Sequence, residues 1–369
     1  MEPMIYLDYN ATAPCVPEVV EAMLPYFGTR FGNPASLHPF GRDAALAVRH
    51  AAVAVAELIG ARPEQILFTS SATEGNNHIV GNVPPEGEIV ISNAEHASLY
   101  APALRHGRMR CVPPRRADII AAIGPQTTLV ALNLANHETG ELFSEPETLS
   151  PLLCERGIAL HFDATQAVGK LPLDVRRLGC DTMAFSAHKL YGPKGIGVLY
   201  IRNPDRFRPL LIGGGQQEGR RAGTLDVPGI AGMGRAAELA KQEGFPSTAL
   251  RDRLEALVAR SGIPHKIAAA DRPRLAQTSC VMFPGQDGPR LVELLGEAGV
   301  AVSSGSACSG GGPSRILAAQ GVDPLYAAGA LRFSFGHGTT ADDVDAAARI
   351  LFEIIANHQH PGVIDVENY

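Results

Sequence analysis

Short apolar runs alternate with stretches of helical periodicity from about residue 40 to residue 205. The runs at 65–69, 88–92, 128–132, 158–162, 182–185 and 197–201 are apolar and bounded by polar or glycine-rich turns, which predicts short buried strands. Between them, the spacing of apolar residues at 44–58, 76–81, 97–106 and 147–156 predicts helices. Strands alternating with helices imply an α/β domain, with a mostly parallel sheet covered on both faces. Functional groups should then gather where the loops converge at the strand ends.

The pattern changes after Gly213-Gly214-Gly215. Helical stretches at 228–242 and 248–261 lead into strands at 278–283 and 331–335, with helices at 289–298, 314–319 and 341–357. A smaller α+β domain is the economical reading. The expected division gives 15–245 to a large domain, and 1–14 with 246–369 to a small one. No internal repeat or low-complexity tail interrupts either part.

At 369 residues and 45% hydrophobic content the chain can bury two substantial cores. No apolar run reaches the roughly 18 residues that crossing a bilayer requires. Met1-Glu2-Pro3-Met4 lacks both the basic and the apolar part of a signal peptide, so a cytoplasmic protein without membrane contact is expected. A net charge of −6 without long basic runs argues against nucleic-acid binding. The six cysteines, at 15, 111, 154, 180, 280 and 308, show no CxxC spacing, which fits neither a metal site nor a disulfide scaffold. Five are expected to be reduced and mostly packed. Cys308 differs, because serine and glycine surround it.

Candidate chemistry centres on Ser186-Ala187-His188-Lys189, directly after the apolar run 182–185, and on Asp163, directly after 158–162. Pyridoxal phosphate needs an amine for its aldehyde, a carboxylate for its ring nitrogen and donors for its phosphate. Lys189 supplies the amine, and its released form can move protons. Asp163 supplies the carboxylate, although the same residue would also cap the turn that follows. Gln166 can donate to the ring's phenolic oxygen. Thr69-Ser70-Ser71-Ala72-Thr73-Glu74-Gly75 joins a strand to a helix. Its free backbone N–H groups, that of Ala72 included, and the Thr73 hydroxyl make a phosphate cradle. An ordinary N-cap would use the same residues. Ser186 and His188 would add phosphate donors. His96, at another strand-to-helix crossing, could stack on the ring and assist proton transfer.

Together these residues resemble the cysteine desulfurases, a branch of the class V aminotransferases within the fold-type I pyridoxal-phosphate enzymes. The resemblance runs through Leu7-Asp8-Tyr9-Asn10-Ala11-Thr12-Ala13-Pro14, Phe31-Gly32-Asn33-Pro34-Ala35-Ser36, Ser71-Ala72-Thr73-Glu74 and Glu95-His96. It continues through Asp163-Ala164-Thr165-Gln166, Ser186-Ala187-His188-Lys189, Arg221-Ala222-Gly223-Thr224, Ser304-Gly305-Ser306-Ala307-Cys308 and Leu331-Arg332-Phe333-Ser334. It implies a large domain with a seven-stranded sheet, and a small domain that carries a catalytic cysteine loop. L-cysteine would be the substrate, with its carboxylate on Arg332 and Asn33 beside it. Cys308 would take the sulfur as a persulfide, release alanine and pass the sulfur to an acceptor protein such as an iron–sulfur scaffold. A homodimer is implied, with Thr224 reaching the neighbouring subunit's cofactor phosphate. In Asn136-His137-Glu138, His137 stands where the family usually has an asparagine that donates to the cofactor. A selenocysteine lyase or related eliminase is the near alternative. A noncatalytic scaffold fits poorly with intact Lys189, Asp163, Cys308 and Arg332.

Overall fold

The computed structural model describes residues 4–244, 246–304 and 314–357. The chain divides into two compact units, one of 12–137 with 142–245 and one of 1–11, 138–141 and 246–369. Relative to the sequence-based division, 12–14 and 138–141 change places. The first change follows from Ala13, whose N–H donates to the His188 carbonyl at 2.9 Å. The second follows from Gly140 and Glu141, which bond to Leu275 at 2.8 Å and to Arg272 at 2.7 Å.

The larger unit is built on a seven-stranded sheet. Its order is Ile66–Thr69, Gly197–Ile201, Thr182–Ser186, Ala159–Asp163, Thr127–Asn133, Glu88–Ser92, Met109–Val112. Only Gly197–Ile201 runs against its neighbours. The central strands are buried on both faces, which is why they read as apolar runs without alternation. Ile89, Ile91, Leu129, Ala131, Leu199 and Ile201 share one face, where Ile79, Val80, Leu99 and Ala103 of the helices Ala72–Gly81 and Ala97–His106 pack on them. Elsewhere in this unit Pro39–Ile59 lies along Val227–Glu243. Gly234 permits that approach, since a Cβ there would sit 2.7 Å from the Ala51 Cα.

The helix Pro39–Ile59 begins earlier than its apolar period suggests, because Pro39 suits the first helical position and His38 caps it by accepting from the Gly41 N–H. Met109–Val112 is a strand the sequence reading missed. It lies at the sheet edge with Arg110 and Cys111 exposed, and its four residues, interrupted by Arg110, make no continuous apolar run. At the opposite edge, the Gln217 side chain pairs with Phe68, accepting its N–H at 2.7 Å and donating to its carbonyl at 2.8 Å. Gln217 holds a left-handed backbone conformation, with φ of 49°, in doing so.

The smaller unit has a four-stranded antiparallel sheet in the order Ser303–Ser304, Ala330–Ser334, Thr278–Met282, Lys266–Ile267. A two-stranded parallel pair joins Ile5–Tyr6 to Val300–Ala301. Val281, Leu331 and Phe333 pack with Leu254, Leu295 and Leu351 from the helices Ala249–Arg260, Gly288–Glu297 and Ala341–Asn357. Strand alternation puts Arg332 on the opposite face from Leu331 and Phe333. No helix among the described residues is long and apolar enough to cross a membrane.

Candidate active site

Asp163 and Ser186 end two adjacent parallel strands, and the helix Ala72–Gly81 starts beside them. Asp163 is buried, and two N–H donors converge on its carboxylate. Asn76 Nδ2 reaches Oδ2 at 2.8 Å, and the Thr165 N–H reaches Oδ1 at 2.9 Å. The second bond caps the following turn and leaves the carboxylate at the strand end. Gln166 is buried one turn on, and Lys170 Nζ holds its carbonyl oxygen at 2.6 Å, which orients the amide.

Lys189 is half-buried at the end of the short turn Ala187–Lys189. The Leu190 and Gly192 N–H groups both close on the Ala187 carbonyl, at 2.8 and 3.0 Å, which fixes the lysine turn. His188 places Nδ1 3.2 Å from Thr12 Oγ1. Burial, then the positive charges of Lys189, Lys194 and Lys170, push its pKa down to about 4, so the ring is neutral near pH 7. Ser186 Oγ accepts from the Ala72 N–H at 2.8 Å, tying the lysine turn to the helix start. Gly197 makes that junction possible. A Cβ there would lie 2.5 Å from the Ser71 carbonyl carbon and 2.9 Å from the Ala72 nitrogen.

Ser71 caps the helix, accepting from the Glu74 N–H at 3.4 Å, with Thr73 exposed in the first turn. The Ala72 and Glu74 N–H groups are taken by Ser186 and Ser71, which corrects the expectation of a free Ala72 donor; the Thr73 N–H and the helix dipole are what favour an anion here. Glu74 accepts from the Ser70 N–H at 2.8 Å and pairs with Arg221 at 3.0 and 3.2 Å. Burial opposes the charge of Glu74, but Arg221 and Ser70 outweigh it and hold the carboxyl below its usual range. Arg221 thereby ties the loop bearing the exposed Thr224 to the helix start.

His96 caps the helix Ala97–His106. Its Nδ1 accepts from the Ser98 N–H at 3.1 Å and lies 2.8 Å from Ser98 Oγ. The His137 ring stands edge-on to it, with centroids 4.9 Å apart. Glu95 is fully buried beside Ser92, and burial pushes its pKa up to about 8. Asn33 is exposed, with its Oδ1 taken by the Ala35 N–H at 3.0 Å. Neither Asn33 nor Thr224 shares a hydrogen bond with Asp163, Ser186 or His96 among the described residues.

In the smaller unit, Arg332 is buried and pairs with Asp8 at 2.7 Å. Asp8 is a partner the sequence reading missed, and its place in the Leu7–Pro14 motif was the available signal. Nearby, Glu138 accepts from Ser314 Oγ. Burial raises the Glu138 pKa to about 7 against the opposing pull of Ser314, Arg332 and Arg315. Cys308 lies outside the described residues. Of the other thiols only Cys180 and Cys280 are buried, which corrects the expectation of mostly packed cysteines; Cys111 and Cys154 are exposed.

Asn76, Ser98, His161 and Thr182 also escaped the sequence reading, although all are buried around Asp163. His161 precedes Asp163 by two and so shares its face of the strand. The donor set fits the coenzyme named from the sequence. It offers a strand-end carboxylate, an amine on an adjacent turn, a hydroxyl and a helix N-terminus, all in one unit.

Residues 5–347 match the aminotransferase class-V family. The chain belongs to that family, in its cysteine desulfurase branch. The cysteine desulfurase of Cereibacter sphaeroides is 42% identical over 95% of both chains. A solved NifS-like protein superposes with a TM-score of 0.88 at 32% identity, covering 96% of this chain and all of its own. A structure of SspA in complex with cysteine superposes at 0.78 with 30% identity, covering 89% of this chain and 98% of that one.

Proposed function

We propose that this desulfurase-family protein uses pyridoxal phosphate to convert L-cysteine to L-alanine, with Cys308 receiving the sulfur. The observation that carries the reading is the buried Asp163 carboxylate, held by Asn76 and Thr165 one strand away from the turn bearing Lys189. Bound there, the cofactor supplies an aldehyde for amines and an electron-withdrawing ring that weakens bonds at the substrate's Cα and Cβ. Asp163 meets the ring nitrogen. Gln166, and His137 in place of the usual asparagine, meet the phenolic oxygen. The Ala72 turn, Thr73, Ser186, His188 and, from a second subunit, Thr224 hold the phosphate, and His96 stacks on the ring. Arg332 takes the substrate carboxylate, and Asn33 is the other residue we assign to substrate binding.

Lys189 Nζ moves the proton at the substrate Cα. Cys308 attacks as a thiolate, since the thiol is a poor nucleophile. The substrate's C–S bond breaks as an S–S bond forms on Cys308, and the thiol proton is returned to carbon. Cysteine plus thiol thus becomes alanine plus persulfide, with no external oxidant. The outer sulfur then passes to an acceptor protein, of which an iron–sulfur scaffold is the kind we favour, and the working unit is a homodimer.

Mass spectrometry after incubation with cysteine tests this. One added sulfur on the peptide containing Cys308 is expected, with alanine released. Cys308→Ala should stop both, and Lys189→Ala should give a protein that no longer acquires the yellow cofactor colour. Sulfur retained on another cysteine, with Cys308 untouched, overturns the reading.

A further inference from the structure

Asp163 and His96 are the two ends of one hydrogen-bond chain whose polarity can be assigned atom by atom. An ionised carboxylate only accepts, so the Asn76 amide turns its NH2 group to Asp163 Oδ2, at 2.8 Å. The same NH2 group donates to Ser98 Oγ at 2.9 Å. Asn76 Oδ1 consequently faces His161 Nε2 at 2.9 Å, and that nitrogen must carry the proton. His161 Nδ1 is then the acceptor for the Thr182 hydroxyl at 2.9 Å. Ser98, with its oxygen receiving from Asn76, turns its own proton to His96 Nδ1 at 2.8 Å. That nitrogen also accepts the Ser98 backbone N–H, at 3.1 Å. Asn76, Ser98, His161 and Thr182 are all buried, so water does not compete freely for these atoms.

We propose that Asn76 is a positioning residue. It carries the orientation of the Asp163 carboxylate to His161 and, through the Ser98 hydroxyl, supports His96, whose Nδ1 is also held as an acceptor by the Ser98 N–H, so that His96 meets the cofactor as a neutral ring with its proton on Nε2. The proposal rests on the reading of Asp163 as the ring-nitrogen partner. A ring in that form can stack and donate from Nε2, but it has no lone pair there to take a proton. Base work at the substrate Cα therefore falls to Lys189. His161 acts on the carboxylate only through Asn76.

Nitrogen-15 NMR of histidine-labelled apoprotein reads the two rings directly, with cofactor affinity as the second measurement. Wild type should show the Nε2–H form at both His96 and His161 near pH 7. Asn76→Ala should leave His161 as a mixture of tautomers and weaken pyridoxal phosphate binding by tenfold or more. Thr182→Val serves if Asn76→Ala does not fold. It should keep the Nε2–H form at both rings, since Asn76 is intact, while the His161 Nδ1 resonance shifts. A proton on Nδ1 of either ring in wild type, or a tautomer switch in Thr182→Val, overturns the proposal. So does a folded Asn76→Ala with an unchanged His161 tautomer and unchanged affinity. Because the apoprotein spectrum needs no turnover, a failure to form persulfide would leave this result readable.

Discussion

Three buried titratable side chains and the half-buried His188 pull the stability of this protein in opposite directions as pH changes. Burial lowers His161 and His188 from 6.5 to about 4, aided at His188 by neighbouring lysines. Their contribution is complete above pH 6.5 and is lost as pH falls through about 4, because the unfolded chain binds the protons first. Glu95 and Glu138 are raised from 4.5 to about 8 and about 7. Their contribution is complete below 4.5 and is lost as pH rises through those values. The two trends offset one another between 4.5 and 6.5, and above 6.5 the carboxyls act alone. Urea midpoints should therefore decline from pH 6.5 to about 8, and Glu95→Gln should remove part of that decline. An unchanged slope in the variant would show that Glu95 ionises in the folded protein as it does in the unfolded one. At this scale Lys189, Asp163, Ser186 and His96 were legible in the sequence as candidates, because each follows a recognisable apolar run. Asn76, Ser98 and Thr182 left no such mark. A polar residue inside a helix or strand looks the same in sequence whether it faces water or a buried carboxylate.

The elements matter most where strand, helix and lysine turn meet. Gly197 begins its strand directly beneath the start of Ala72–Gly81, and an added Cβ would meet backbone at Ser71 rather than a side chain able to swing away. Gly197→Ala should therefore cost about 1–3 kcal/mol, the usual range for forced overpacking. It should also weaken cofactor binding, because Ser186 and the Ala72 N–H would be pushed apart. Thermal denaturation and a cofactor titration together check this. A loss of stability without loss of affinity would show that the junction can shift as a body. Element types were read well where runs were apolar throughout, as in Glu88–Ser92 and Gly197–Ile201. They were missed where the pattern was short or polar, as in Met109–Val112 and the helices Pro17–Met23 and Arg116–Ala122. Start positions such as that of Pro39–Ile59 depend on caps, which periodicity does not register.

For the whole molecule, alternating strands and helices announced a mostly parallel sheet with six of its seven strands, the count of seven coming from the family resemblance, while the shift from that rhythm after Gly215 was read as a smaller unit. The small exchanges at 12–14 and 138–141 were not legible, since they depend on single hydrogen bonds to distant parts of the chain. The proposed homodimer yields a prediction that no monomer could satisfy. If Thr224 serves the other subunit's phosphate, Lys189→Ala and Thr224→Ala chains mixed through unfolding should regain activity, up to one intact site per heterodimer. Mixtures no more active than their parents would confine Thr224 to its own subunit. The contact between Gln217 and Phe68 has a consequence of a different kind. A side-chain amide there stands in for a missing eighth strand, so the Phe68 peptide groups are already satisfied at that border. A stray β-segment from another chain finds nothing to zip onto at Phe68, and growth into fibrils is blocked at that point by one residue.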